Sequence, residues 1–389
     1  MKELLIVNDN MKVGGVQKSL QNLLWSLDPA EYKVTLLLFN KVGPYLDLPE
    51  HVRVTEVTGP FRYFGKSQNE FSGLAALKRG FLATVSRLFG RSAAVRLMLM
   101  RQPWLEGRYD CAVAFLNNGL KKVFYGGVQD YVLHRVQADR KVVFLHSDYE
   151  RSGSHYPEND RMMARFDTIA ACSEGCRRAF VAAVPEQAGH CVAVRNCHRY
   201  DEIRRLAECE PVVYDQPGLH AVTVARMTPR KRVDRAIRAV AAAKEAGTPV
   251  TLHVVGNGPQ WDTLQALVQE LGVTRSVVFH GEQENPYPYI KAADFLLLSS
   301  YHEAAPMVIE EARCLGLPVV STEIISTKEM VTEAQAGWVC ENSTQALCDL
   351  VCRIAADPEE LATTTKRVGE TPLDNREALA QFALAVQGA

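Results

Sequence analysis

An excess of charge of one sign is missing from this sequence: 44 Lys and Arg face 45 Asp and Glu, a net charge of −1. A global basic field for nucleic acid is therefore absent, and no nucleic-acid partner is expected, although local patches remain open. Also missing is any apolar run of about 18 residues, so no segment reads as a membrane-spanning helix. The apolar start Leu4–Val7 closes quickly on Asn8-Asp9-Asn10. That is too short for the core of a signal peptide, and a cytoplasmic setting is the expectation. Ten cysteines occur without the arrangement of a structural zinc site, Cys172-x3-Cys176 and Cys191-x5-Cys197-His198 coming nearest. They read as buried thiols in a reducing compartment, and no metal is expected there. Short-period repeats and low-complexity tracts are lacking as well.

What is present is a chain of 389 residues, 47% apolar and 23% charged, an ordinary globular composition. At roughly 150 residues per domain this length predicts two or three domains. Short runs rich in branched residues alternate with helical-period segments. The runs are Glu3–Val7, Lys33–Phe39, Val52–Glu56, Cys111–Phe115, Lys141–Leu145, Thr168–Ala171 and Cys191–Val194. A second series follows at Leu219–Ala225, Val250–Val255, Val277–His280, Phe295–Leu298, Pro318–Ser321 and Gly337–Val339. Strands buried on both faces by helices have this appearance, so the expectation is an α/β chain with parallel sheets. Residues 207–218 interrupt the series with Pro211, Pro217 and Gly218, which end helices and favour extended chain. The boundary is placed there, giving domains 1–206 and 216–372. A last helical pattern, about 374–389, can pack back on the first domain.

In open parallel sheets, ligands bind beyond the carboxyl ends of the strands, where loops lead into helix N-termini that favour phosphate. Three such loops stand out. Gly14-Gly15 follows the first strand and allows close backbone approach, or is simply a tight turn. Arg226-Met227-Thr228-Pro229-Arg230-Lys231-Arg232 follows Leu219–Ala225 and is either a diphosphate cradle or a solvated basic turn. Gly256-Asn257-Gly258-Pro259 lacks the third glycine of a dinucleotide fingerprint. That weighs against a nicotinamide or flavin oxidoreductase and leaves a backbone approach to a base or ribose, or a plain turn.

The strongest constellation is Ser299-Ser300-Tyr301-His302-Glu303-Ala304-Ala305-Pro306-Met307-Val308-Ile309-Glu310-Glu311. A strand ends, a small-residue loop follows, and Pro306 sits where the first turn of a helix tolerates it. Glu303 falls in the loop and Glu311 within the helix, and a carboxylate can accept two hydrogen bonds from a vicinal diol. Glu310 reads as a solvated helix face.

At these residues the sequence resembles glycosyltransferase family 4, retaining enzymes of the GT-B fold. The resemblance is dense from Val224-Ala225-Arg226 to about Val339, through Asn285-Pro286-Tyr287, Glu303-x7-Glu311 and Gly316-Leu317-Pro318. It is weaker in the first half, at Gly14-Gly15-Val16-Gln17, His146-Ser147-Asp148, Ala171-Cys172-Ser173-Glu174 and Asn196. It implies two Rossmann-like parallel-sheet domains facing across a cleft, acceptor-binding first and nucleotide-sugar-binding second. Arg226 and Lys231 would bind the donor diphosphate. Glu303 would touch the transferred sugar with the amides of Ala304, Ala305, Pro306 and Met307 nearby, Pro306 having no N–H of its own. Glu311 would hold the ribose hydroxyls, Gly256 and Gly258 would approach the donor, and Gly14 and Gly15 would lie against phosphates or acceptor. His146 would sit beside the sugar; without the resemblance it reads as a capping or core histidine. Two departures are visible: Ala304-Ala305 replaces a common Gly-aromatic pair, and Arg232 stands where glycine often follows the lysine.

The implied activity is transfer from a nucleotide-diphosphate sugar, a UDP-sugar by preference, to a glycan or lipid-linked acceptor in surface polysaccharide or glycolipid synthesis. No Asp-x-Asp motif stands at a strand end to hold Mg²⁺, so cations and helix N-termini would stabilise the departing diphosphate without metal or cofactor. The alternatives are a GT-B epimerase, a phosphorylase, or a non-catalytic nucleotide-sugar-binding partner of another transferase.

One segment stands apart. Residues 60–105 carry Arg62, Lys66, Lys78, Arg79, Arg87, Arg91, Arg96 and Arg101 against a single acid, Glu70. Leu74, Leu77, Phe81, Leu82, Val85, Leu88 and Phe89 are interleaved near helical spacing. Either the segment meets an anionic membrane surface, on the inner face, or the apolar stripe is the core face of domain helices.

Overall fold

The computed structural model describes residues 1–388. They form two units: Met1–Cys197 with the segment from Asn375, and His198–Asp374. Each is built on one parallel α/β sheet.

The first sheet contains β1 (Lys2–Asn8), β2 (Tyr32–Leu38), β3 (Arg53–Glu56), β4 (Arg108–Ala114), β5 (Gln137–Leu145), β6 (Thr168–Ala171) and β7 (Cys191–Ala193). Its spatial order is β3-β2-β1-β4-β5-β6-β7, every pairing parallel. The order reverses between β1 and β4. Leu4, Leu5, Ile6 and Val7 are all buried, as expected of a strand covered on both faces. The C-terminal helix Arg376–Gln387 closes one face, with the Phe382 ring edge-on to Tyr32 at 6.2 Å. The Arg140 guanidinium donates to the Ala385 carbonyl at 3.0 Å.

The second sheet contains β8 (Leu219–Val224), β9 (Val250–Val255), β10 (Val277–Gly281), β11 (Phe295–Leu298), β12 (Val319–Thr322) and β13 (Gly337–Cys340). Its order is β10-β9-β8-β11-β12-β13, again all parallel, with the reversal between β8 and β11. Alternate strand residues serve opposite faces. Ala221 and Val254 join Ile237, Val240, Leu347 and Val351 in one core. Val222 and Val255 join Ile203, Ile290 and Ile309 in the other.

The division falls at residue 197, earlier than residues 207–218. Proline and glycine mark where the chain turns extended, but burial decides which core a helix serves. Helix Tyr200–Ala207 buries Ile203 and Ala207 against Tyr287 and Ile290, and the Asn285 amide donates to the Leu206 carbonyl at 2.8 Å.

Within the second unit, three histidines on neighbouring strands form a hydrogen-bonded ladder. His220 Nε2 lies 2.9 Å from the Gln216 carbonyl, and His220 Nδ1 lies 3.0 Å from His253 Nε2. His253 Nδ1 in turn lies 3.0 Å from His280 Nε2. A carbonyl only accepts, so in the neutral ladder every Nε2 carries the proton and donates. The Tyr214 ring covers His253 at 3.5 Å between centroids.

Candidate functional site

The site of the second unit lies where its strand order reverses. The loop after β8 carries Arg226, Arg230, Lys231 and Arg232, and the loop after β11 carries Ser299 to Pro306. Because β8 and β11 are hydrogen-bonded neighbours, both loops emerge side by side at their carboxyl ends.

Lys231 and Glu303 meet there. Lys231 Nζ lies 2.6 Å from Glu303 Oε2, and the Ser300 hydroxyl donates to Glu303 Oε1 at 2.6 Å. Burial pushes the Glu303 carboxyl up, but the Lys231 ammonium and the Ser300 hydroxyl outweigh it and hold the group below the usual carboxylate range. Two further bonds tie the loops: Ser299 Oγ donates to the Lys231 carbonyl at 3.1 Å, and the Tyr301 N–H donates to the Arg230 carbonyl at 2.8 Å.

Arg226 is exposed, and its side chain has no hydrogen-bond or ion-pair partner among the described residues; Arg230 is likewise exposed. Arg232 adopts a left-handed conformation, φ 50°. A non-glycine residue there costs about 1 kcal/mol. Its guanidinium is held on Asp234 at 2.8 Å. That conformation explains why glycine would suit this position.

Helix Met307–Cys314 begins directly after Pro306, so Ala304 and Ala305 precede its first turn. Glu311 is buried on this helix. Glu310 is not a solvated group: it is largely enclosed and ion-paired with Arg313, one turn along.

Gly256 and Gly258 have an internal explanation. A Cβ on Gly256, at φ +134°, would fall 2.1 Å from the Ala225 carbonyl oxygen. One on Gly258 would fall 2.5 Å from the Met227 carbonyl oxygen. The two glycines let the loop after β9 pack on the loop after β8, where the Met227 N–H donates to the Asn257 carbonyl at 2.9 Å. Packing alone accounts for them.

In the first unit, Gly14 and Gly15 open helix Gly15–Ser26 just after β1. Nothing stands within 4 Å of a Cβ built on Gly15, and one on Gly14 meets only the Gln17 side chain. His146 follows β5. Its backbone N–H donates to Asn117 Oδ1 at 2.7 Å, and its ring lies 4.7 Å from Phe115 and 5.5 Å from Phe144. Nε2 is sealed from solvent without a hydrogen-bond partner, and burial pushes the ring's pKa down to about 3. The imidazole is therefore neutral near pH 7.

Several residues escaped the sequence reading. Asn342, just past β13, donates through its amide nitrogen to the Tyr301 carbonyl at 2.9 Å and the Glu323 carbonyl at 2.6 Å. Its oxygen accepts from Arg235 at 2.6 Å. It clamps the Glu303 loop from a distant point of the chain, and no local motif announces it. Asp9, buried beyond β1, is raised to about 6 by burial against the hydrogen bonds it accepts from Asn10 and Gln17. Its place in Asn8-Asp9-Asn10 after an apolar run was the available signal.

Residues 215–370 match the family model described as "Glycosyl transferases group 1". Curated relatives include the putative colanic acid biosynthesis glycosyltransferase WcaL of Escherichia coli K12, 32% identical over 41% of this chain and 42% of its own length. The lipopolysaccharide glucosyltransferase WaaG of the same strain is 36% identical over 28% of this chain and 29% of its own. A GDP-mannose-dependent phosphatidylinositol monomannoside mannosyltransferase of Mycolicibacterium smegmatis is 30% identical over 40% and 43%. The chain thus spans less than half the length of each of these relatives. Whole-chain similarity appears in solved structures: Anabaena HepE in complex with UDP, at TM-score 0.67 and 18% identity, covers 100% of both chains. WaaG, at TM-score 0.65 and 17% identity, covers 99% of this chain and 100% of its own. The fold is that of these GT-B proteins, two parallel-sheet α/β domains.

Proposed function

We propose that this chain is a retaining glycosyltransferase. It moves a sugar from a nucleoside-diphosphate sugar, a UDP-sugar by preference, to a glycan or lipid-linked acceptor in surface polysaccharide or glycolipid synthesis. The observation that carries the reading is the Lys231–Glu303 pair at the reversal of the second sheet, beside the unpaired cation Arg226 and ahead of a helix N-terminus.

Breaking the anomeric C–O bond leaves negative charge on the diphosphate and positive character on the sugar ring. Arg226 and Lys231 take up the first, and the amides of Ala304, Ala305 and Met307 add fixed dipoles that need no reorganisation. Glu303, held anionic by Lys231 and Ser300, faces the transferred sugar, and Glu311 accepts from the ribose hydroxyls. Gly14 and Gly15 admit phosphate or acceptor against bare backbone. His146, neutral, lies beside the sugar as an uncharged group rather than as a charged acid. Gly256 and Gly258 shape the loop next to the donor. No covalent nucleophile is assigned; the leaving phosphate assists deprotonation of the acceptor on the same face.

UDP is the preferred nucleotide because HepE structures hold UDP and UDP-glucose, whereas the mycobacterial relative is GDP-mannose-dependent. Thermal-shift measurements with UDP, GDP and ADP decide between them, since a ligand of the folded state raises stability by RT ln(1 + [L]/Kd). Failure of every nucleotide to raise the midpoint would overturn the donor assignment. Normal turnover by Glu303→Ala would overturn the catalytic one.

A further inference from the structure

Helix Gly73–Phe89 has two apolar faces. Leu82 and Ser86 point inward and are buried. Leu74, Leu77, Phe81 and Leu88 recur at the spacing that shares one helical face, and that face is turned to solvent. Their exposures are 67%, 72%, 61% and 64%, and Phe89 at the helix end reaches 75%. Single exposed leucines are ordinary, but a contiguous stripe of this kind is not. The periodic stripe is thus not the core face of the helix.

The helix is firmly held. The buried Arg91–Asp130 pair, at 2.7 Å, anchors its turn into the next helix, and the Arg91 N–H donates to the Lys121 carbonyl at 2.8 Å. Arg79 lies over Phe71 and Phe124 at 5.9 and 5.7 Å. The exposed stripe therefore belongs to an ordered element.

Its charge surroundings select the occupant. Lys78, Arg87, Arg96, Arg101 and Lys122 have no ion-pair partner among the described residues. Glu70, the only acid from 60 to 105, is taken up by Lys12 and the Ser67 N–H. Exposed Leu120 and Val123 flank Lys121, which is held by Glu158 at 2.9 Å, and Lys122 in the loop that receives Arg91. Apolar side chains amid unneutralised cations match an interface whose interior is hydrocarbon and whose surface is anionic.

We propose that helix Gly73–Phe89 docks the chain on an anionic lipid bilayer, burying Leu74, Leu77, Phe81, Leu88 and Phe89 among the acyl chains while Lys78 and Arg87 meet the headgroups. The inference stands whether or not the chain transfers sugar. No described helix is long and apolar enough to cross a membrane.

The test is co-sedimentation of the full chain with vesicles rich in phosphatidylglycerol and with vesicles of phosphatidylcholine alone. Two variants accompany it: Leu77→Gln, Phe81→Gln and Leu88→Gln combined, and Lys78→Gln with Arg87→Gln. All five positions are exposed, and unchanged circular dichroism and unfolding midpoint establish that each variant is folded. Binding is expected to anionic vesicles at low salt, falling about tenfold or more in either variant. Absence of wild-type binding to anionic vesicles would overturn the proposal. So would equal binding by the apolar variant, or a stripe-dependent dimer that ignores vesicles.

Discussion

Lys231 Nζ lies 2.6 Å from Glu303 Oε2 although 72 residues separate them, joining the loops of the two central strands of the second sheet. The pair concentrates a cation and a largely buried carboxylate at the point where an open parallel sheet offers its ligand site. Lys231→Met leaves the carboxylate without its counter-charge. We expect a loss of roughly 2 kcal/mol in urea unfolding, with much of it restored when Glu303→Gln is added. A double-mutant cycle that gives strictly additive losses would show the two charges to be uncoupled.

The proposed chemistry gives the same two residues different roles. Replacing a charge-stabilising group in such a site costs on the order of 10²–10³ in kcat. Lys231→Met should lose both turnover and UDP-induced thermal stabilisation. Glu303→Gln should lose turnover and retain the UDP shift, because it is assigned to the sugar rather than the diphosphate.

The glycines separate packing from ligand approach. Gly256→Ala and Gly258→Ala each drive a Cβ into carbonyl oxygens, so both should destabilise the chain by roughly 1–3 kcal/mol. Gly15→Ala meets open space and should leave the unfolding midpoint unchanged while raising KM. If Gly15→Ala unfolded early instead, its role would be structural.

The Asn342 clamp predicts a positioning effect. Asn342→Ala releases the Tyr301 and Glu323 carbonyls and the Arg235 guanidinium, a cost of about 1–3 kcal/mol. Turnover should fall with little change in KM for the donor, since the residue holds the Glu303 loop without being assigned any donor contact. A change confined to KM would count against this role.

The histidine ladder predicts the acid limb of stability. Burial, then the neighbouring imidazoles, lower His253 from 6.5 to about 3. Between those values the unfolded chain binds the proton and the folded chain does not, so stability falls as pH drops through that window; above 6.5 both states are neutral and the effect vanishes. His253→Gln should flatten the slope of unfolding free energy against pH there by about one proton. An unaltered slope would mean that His253 protonates without unfolding.

Legibility in the sequence followed how local the signal was. The strands of both sheets were readable because a strand covered on both faces must be continuously apolar, as in Leu4–Val7 and Phe295–Leu298. Lys231 and Glu303 stood out through motif spacing, but their contact did not, and Glu310 was misjudged because it pairs with Arg313 and is largely enclosed. Asn342 and Arg235 act through bonds to residues far along the chain, so composition and periodicity are silent about them. The stripe from Leu74 to Leu88 shows the same limit from the other side. Periodicity identifies one face of a helix but not which way that face turns.

By itself the sequence determined the alternation of strands and helices, the parallel sheets and the residue types available for chemistry, since these depend on neighbours within a turn or a strand. Only the tertiary structure decided which unit owns Tyr200–Ala207, why Gly256 and Gly258 are glycine, that His146 is neutral, and that the stripe faces outward. Each of those depends on which distant groups a residue meets, and hence on its burial and partners, which no local stretch of chain encodes.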